Sequence, residues 1–423
     1  MGKMQVVKMN LICLVVAAGV VTVASDDVAA NDNWPNWRGP DQTGVAPGDA
    51  YPTKWSAEDH VAWKYEISGR GASTPIVWDD SIILTSGSDG KDSVMCLDRT
   101  GKQQWQVDLS DEVAGRHRKG SGSNPSAVTD GNHVFVYFKS GTLACLDFAG
   151  KIQWQKDLND YAEDNLWWDL GTSPVLTQDY LVVTRIQNGP SYVIAFDKAS
   201  GKEVWKHLRD VPAPRESAQS YTTPVVCEYE GQEIIAVLGA DHVTAHDAAT
   251  GERIWIVGGL NPEGHEMFRS ISSPVYATGY LVAPYARGDT LTCIQFGGRG
   301  DVTDTHVAWI SDRSADVPTP AIFEGHVYVL SDRGRISVLD LETGEEVQSL
   351  ELPRSRTTYS SSPVIAAGHL YATNERGVTH VVKLGDDMER VATNALDEQT
   401  VATPVLLDGR IYLRTYDHLY CIE

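Results

Sequence analysis

A polar residue, a proline and a short β-rich run recur along this chain as TPIV, NPSA, SPVL, TPVV, SPVY, TPAI, SPVI and TPVL. The prolines are Pro75, Pro125, Pro174, Pro224, Pro274, Pro320, Pro363 and Pro404, at intervals of 50, 49, 50, 50, 46, 43 and 41 residues. Eight near-equal units of this length predict a β-propeller, in which each unit is one blade. Most units repeat one order of events. After the proline comes a tight turn, at Asp130-Gly131, Glu230-Gly231, Glu324-Gly325, Ala367-Gly368 and Asp408-Gly409, the residue pairs that close hairpins. A second run follows, then a third that ends in Asp98, Asp147, Asp197, Asp247 or Asp340. Glycine comes three or four residues later, at Gly101, Gly150, Gly201, Gly251 and Gly344. The Asp side chain caps that turn and the glycine supplies its positive φ. Four residues beyond stands Trp105, Trp154, Trp205 or Trp255, with Gln348 in the last of these units. Each unit therefore reads as four antiparallel strands, A to D, with a strand-D tryptophan packed between blades.

The two ends of the chain complete the count. The last unit, from Val401 to Glu423, has only three strands, and an orphan strand around Trp63 lies upstream of the first proline. Trp63 precedes Pro75 by 12 residues, close to the 11 between Trp309 and Pro320. The N-terminal strand is expected to complete the last blade, beside Leu419–Ile422, and to cover its open edge. The fold class is all-β: an eight-bladed propeller over residues 60–423, preceded by an arm over 25–59 and a leader over 1–24.

The leader is read from Lys3 and Lys8, the apolar run from Leu11 to Ala24, and the small residues that follow. This is the pattern of a signal peptide, cleaved near Ala24 or Ala30 to leave a mature chain starting between Ser25 and Asp32. A membrane anchor is the alternative, but the run is short for a span. Export to the periplasm or beyond is the expectation, with no membrane span in the mature chain. The formal net charge of −22 argues against nucleic acid or an anionic membrane as partner, since both need a basic face. Of the six cysteines, Cys96, Cys145, Cys293 and Cys421 share a strand context (VMCLD, LACLD, LTCIQ, LYCIE), where other units have Ala195 or Ala245. With Cys227 they read as small buried apolar residues, not as disulfides or metal ligands.

The elements DRTGKQQW, DFAGKIQW, DKASGKEVW and DAATGERIW resemble the pyrroloquinoline-quinone (PQQ) repeat family, and NWPNWRGPDQTGVA resembles the N-terminal arm of secreted PQQ-like propellers, including planctomycete ones. The arm is expected to lie ordered across the propeller. The family's repeat serves both quinoprotein alcohol dehydrogenases and a lipoprotein that scaffolds outer-membrane protein assembly. The redox members imply adjacent bridged cysteines, a calcium held by Glu and Asn, and an Asp base. This chain has no adjacent cysteines, no Glu and Asn at matching repeat positions, and no CxxCH haem motif. No cofactor is therefore expected; PQQ with calcium belongs to the alternative reading, an oxidoreductase acting on an alcohol or sugar.

In such a fold strand A lines the central channel, and residues at a fixed offset before each proline form rings. Immediately before proline stand Thr74, Asn124, Ser173, Thr223, Ser273, Thr319, Ser362 and Thr403, all hydroxyl or amide residues able to satisfy a neighbouring blade's backbone. Five residues before stand Arg70, Gly120, Asp169, Gln219, Arg269, Ala315, Thr358 and Gln399. Arg70 and Arg269 belong to opposite blades and could grip a small anion, or pair structurally with Asp169, Asp316 or Glu266. With Asp169, Gln219, Arg356 and Tyr359, and with Lys119, Tyr221 and Trp167-Trp168 nearby, they form the candidate ligand site. No catalytic residue is assigned. The expected function is a monomeric, non-catalytic binding or scaffold propeller that presents loops and a channel mouth to a protein or a small anionic ligand.

Overall fold

The computed structural model describes residues 1–2 and 33–423. The leader and its cleavage region lie outside the described residues. Eight antiparallel sheets follow in chain order, each sheet ordered A-B-C-D. Blade 1 is typical: strand A is Ile76–Trp78, B Ser81–Ser88, C Lys91–Asp98 and D Gln103–Asp111. Blade 4 carries one addition, the short strand Gly300–Asp301, parallel to its strand D at Arg253–Val257.

Blade 8 has A, B and C from Val405–Leu407, Arg410–Arg414 and His418–Ile422. Its strand D is Val61–Glu66, with Trp63 opposite Cys421 and Tyr65 opposite Leu419. The ring is thus closed by the chain's other end, as the strand count required. A second latch sits at the same junction. Arg414, 1% exposed, donates to the carbonyls of Ser73 and Thr85 in blade 1.

The strand-D tryptophans do one job around the ring. Each ring lies on the glycine of the next blade's C–D turn, and each indole N–H donates to a carbonyl of that turn: Trp63 on Gly101 with Arg99, Trp105 on Gly150 with Phe148, Trp154 on Gly201 with Lys198, Trp205 on Gly251 with Ala248, Trp309 on Gly344 with Leu341. A Cβ on Gly101 would stand 2.5 Å from the Trp63 ring, so only glycine admits this contact. In blade 6 Gln348 substitutes, donating its amide to Gly385 and Asp386 carbonyls. Trp255 departs from the pattern: it stands edge-on to Phe296, 5.2 Å between ring centres. The cysteines are explained by the same packing. Cys96, Cys145, Cys293 and Cys421 pair across the strands with Trp105, Trp154, Trp309 and Trp63, where Ala195 and Ala245 face Trp205 and Trp255. A small residue leaves room for each indole, and burial pushes the Cys96 thiol up to about 11 and Cys145 to about 12.

The turns follow their sequence signals with one exception. Both central residues have positive φ at Glu230-Gly231, Glu324-Gly325, Ala367-Gly368 and Asp408-Gly409, the two-residue turn that matches strand twist. At Asp130-Gly131 only the glycine does, and the Asp130 carboxylate accepts from the N–H groups of Asn132 and His133 instead.

The proline register also shifts in blade 2. Its strand A is Val128–Thr129, and Val128 faces Phe135 as Ile76 faces Ile83 in blade 1. Ala127, not Pro125, holds the position of Pro75, and Ser126 that of Thr74. The motif proline of that unit lies two residues early, so Asn124 and Gly120 are not ring members there.

Candidate functional site

The site is built on a belt of hydroxyls at the start of the A strands. The backbone N–H of Thr74 donates to Ser126 Oγ, that of Ser126 to Ser173, Ser173 to Thr223, Thr223 to Ser273, Ser273 to Thr319, Thr319 to Ser362, Ser362 to Thr403, and Thr403 back to Thr74. The distances run from 2.9 to 3.3 Å. Each blade thereby satisfies an N–H that its own sheet leaves free, and the bonds close a complete circuit. Asn124 stands outside it. It accepts from Ser121 N–H and donates to the Leu170 carbonyl.

All eight belt residues line a cavity of about 970 Å³ on the axis. Its other walls come from the D–A and B–C loops; no residue of an A–B or C–D turn lines it. The N-terminal arm accounts for this. Trp34 forms a two-bond bridge with Val77 of blade 1, and Thr43 and Gly44 carbonyls accept from Ile322 and Ile365 of blades 6 and 7. Between them the arm crosses the channel, and Trp37 becomes the cavity floor. Arg38, 2% exposed, fixes the crossing by donating to the Pro363 and Pro320 carbonyls at 2.9 and 2.8 Å. Burial pushes its pKa down to about 9, so it remains a cation at neutral pH. Its guanidinium occupies the space a Cβ on Gly44 would need.

The structure distributes the candidate residues unequally. Asp169 and Arg269 line the cavity. Arg269 forks onto Asp316 at 3.1 and 3.0 Å and faces Glu216 at 3.7 Å. Asp169 takes the buried Lys139 ammonium at 2.6 Å and the N–H groups of Arg116 and His117. Gln219 is fully buried just behind, accepting from Trp167 N–H and the Tyr221 hydroxyl. Arg70 is not among the lining residues. Its guanidinium lies on the Tyr416 ring, 4.1 Å from the centroid, and donates to the Arg118 carbonyl. Arg356 is exposed outside the cavity, and Tyr359 is buried between blades 6 and 7, against Gly334 and His380. The structure therefore does not bring Arg70 and Arg269 together in one cavity.

Arg70 instead tethers a loop. The segment between blades 1 and 2 folds over the mouth. Its Lys119 carbonyl accepts from Tyr416 of blade 8, and its Lys119 ammonium reaches Glu375 of blade 7 at 2.5 Å. Burial would raise the Glu375 carboxyl, but hydrogen bonds from Lys119, Ser360 and Thr358 outweigh it and hold the pKa below the ordinary range. His117 on this loop is pushed below its usual value by burial and by the charges of Lys119 and Arg118.

Most of the residues missed from sequence lie on B–C loops, which share this face with the D–A loops; Glu216 lies on the D–A loop before blade 4. Asp332 accepts from the N–H groups of Asp316 and Val317, and burial raises its carboxyl to about 6. Arg287 pairs with Glu216 at 3.2 Å, and Lys139 with Asp169. Only the arm motif around Trp37-Arg38 carried a sequence signal for any of them.

These groups do not suit a quinone held on calcium. The five described cysteines are buried in strands and none lines the cavity. Asp169, Asp316 and Asp332 are each engaged as above, and among the described residues no three His, Cys, Asp or Glu side chains gather as cation ligands do.

Similar folds are found among solved structures. BamB from Moraxella catarrhalis superposes with a TM-score of 0.62 at 16% identity, over 86% of this chain and 99% of that one. A europium-containing methanol dehydrogenase gives 0.65 at 12%, over 90% and 89%. The quinohemoprotein alcohol dehydrogenase of Comamonas testosteroni gives 0.64 at 12%, over 94% and 81%. At these identities the likeness is one of fold. No curated protein sequence matches the chain. Residues 47–165, 90–255, 149–296 and 298–423 match the family described as outer membrane protein assembly factor BamB, and the chain belongs to that family of PQQ-repeat propellers.

Proposed function

We propose that the protein is a non-catalytic binding propeller, exported as a monomer, which receives a polar ligand in the axial cavity and offers the surrounding loops to a partner. One observation carries this reading. The cavity is large, floored by Trp37 and lined from every blade, while Asp169, Asp316, Glu216 and Glu375 beside it are held in ion pairs. These four carboxylates are committed to lysine and arginine rather than free to take a proton, which leaves Asp332, held by two backbone N–H groups, and His117 among the described lining groups without an ion pair. A concave polar site of this kind suits recognition.

Among the described residues no helix is long and apolar enough to cross a membrane. Export rests on the leader, and N-terminal sequencing should place the mature start between Ser25 and Asp32. The function is tested by native mass spectrometry of the protein from its own source, followed by reconstitution with PQQ and Ca²⁺. A retained small molecule or partner, with no dye reduction on adding an alcohol or sugar, is the expected outcome. Quinone-dependent dye reduction would replace the reading with an oxidoreductase.

A further inference from the structure

We propose that the cavity takes the end of a neutral oligosaccharide, with one sugar ring stacked on Trp168 at the rim. This rests on the binding reading above and names its ligand class.

Trp168 is a prepared surface. Its side chain lines the cavity and is 43% exposed, yet it is held at two points. The indole N–H donates to Glu216 at 2.7 Å, and the backbone N–H donates to the Tyr221 hydroxyl at 3.2 Å. Glu216 is 1% exposed and also faces Arg269 and Arg287. A carboxylate this buried is tolerable only with its partners in place. One buried group therefore fixes an aromatic face and two guanidiniums around the same space before any ligand arrives, which lowers the ordering cost of binding.

The polar groups select the ligand class. Arg269 lies against Asp316 and Glu216, Arg287 against Glu216, and Lys119 against Glu375. Cation and carboxylate alternate, so the wall offers donors and acceptors with its charge largely cancelled. A polycarboxylate brings only acceptors and would face these carboxylates; a polyamine has the opposite fault. A hydroxyl both donates and accepts, and a sugar ring has an apolar face to lay on an indole, as amphipathic aromatic surfaces require. The belt adds to this. Each of its hydroxyls spends a lone pair on a neighbour's N–H, and none donates to an acceptor among the described residues, so the protons are available to the lumen.

Size and shape set the binding mode. About 970 Å³ is the upper end of the roughly 300–1,000 Å³ of small-ligand sites, enough for more than one ring. With Trp37 across the channel, a chain must enter by its end.

Isothermal titration and tryptophan fluorescence would be run with short linear gluco-, xylo- and manno-oligosaccharides, with cyclodextrin as the endless counterpart, and with citrate. At least one linear series should bind saturably and cyclodextrin should not. Trp168→Ala should weaken that binding about tenfold or more, and Trp168→Phe, which loses the same donor to Glu216 and should lower the melting temperature by a similar amount, should restore most of the binding. Equal binding of cyclodextrin would overturn end-on entry. An unchanged affinity in Trp168→Ala would overturn the platform. Citrate binding with no saccharide binding would overturn the ligand class while leaving the binding reading intact. No binding by any probe, with nothing retained in the native protein, would overturn both.

Discussion

Trp63→Ala tests how the ring is held shut. Trp63 sits on the strand that completes blade 8, but its ring lies on Gly101 of blade 1, its indole N–H donates to the Arg99 carbonyl at 2.9 Å, and its ring stands 6.1 Å from that of Tyr412. Replacing a buried tryptophan by alanine costs about 3–5 kcal/mol. Trp63 is only partly buried, so the lower end applies, about 3 kcal/mol, of which the hydrogen bond supplies about 1. Trp63→Phe keeps most of the packing and loses only that bond, so it should cost about 1 kcal/mol. The comparison is Trp154→Ala, where the same contact to Gly201 and Lys198 is made between blades consecutive in the chain. Urea unfolding followed by intrinsic fluorescence and by circular dichroism would read all three. If the closure strand bears load like any other, Trp63→Ala and Trp154→Ala should fall within about 1 kcal/mol of each other, since their environments match. A Trp63→Ala protein within about 0.5 kcal/mol of the parent, the range of an inconsequential surface change, would refute the closure argument.

Three further perturbations probe the arm, the cavity wall and its acid. Arg38→Met should destabilise by about 2–4 kcal/mol, because two buried carbonyls lose a charged donor while the desolvation cost of the guanidinium is relieved; an unchanged melting temperature would mean the arm is not held by this residue. Lys139→Met strands the buried Asp169 carboxylate and should cost about 3–5 kcal/mol, and adding Asp169→Asn should recover part of that loss; a double variant worse than the single by the full cost of a second independent lesion would contradict the pairing. Asp332 has its carboxyl raised to about 6 by burial, so the folded state binds the proton more tightly than the unfolded chain. Its contribution is fully present below the ordinary carboxyl range and is lost as pH rises through about 6. The stability of the parent minus that of Asp332→Asn should therefore fall between about pH 4 and 6, and a difference that rises over that window would reverse the assignment.

The fold was legible because its signals repeat in phase. Eight prolines, five Asp-to-Gly turns and a spaced tryptophan each restate one blade, and the three-stranded last unit together with the orphan Trp63 strand states the closure. Where one signal slipped, in blade 2, the others did not correct it: Pro125 looked like its counterparts, but the hydrogen-bond circuit uses Ser126. The hydroxyl belt was legible as a ring able to serve neighbouring backbones. The candidate site was less so. Offsets from the proline place Cα atoms at equal depth around the axis, and they say nothing about where a long side chain goes. Arg70 turns to Tyr416 and Arg118, whereas Arg269 stays at the cavity because Asp316 and Glu216 hold it there. The partners that decide such matters lie on loops whose lengths and residues do not repeat, Arg118, Glu216 and Asp316 on D–A loops and Lys139, Arg287, Asp332 and Tyr416 on B–C loops.

The charge arrangement connects the acidic chain to its one basic-looking mouth. With a net charge of −22, the protein's field opposes approach of anions from any distance within the Debye length, about 8 Å at physiological salt. An anion site would have to overcome that field locally with cations that are not already spent. Of the described lysine and arginine residues that line the cavity, Lys119, Arg269 and Arg287 are paired with carboxylates and Arg333 is not. A single exposed cation is worth little against such a background. The same pairs that blunt the mouth for anions hold its donors and acceptors at fixed positions, and Glu216 couples those positions to the orientation of Trp168. What the carboxylates remove in charge they return as geometry, and a rigid, charge-balanced wall beside an aromatic face discriminates by hydroxyl pattern and ring shape.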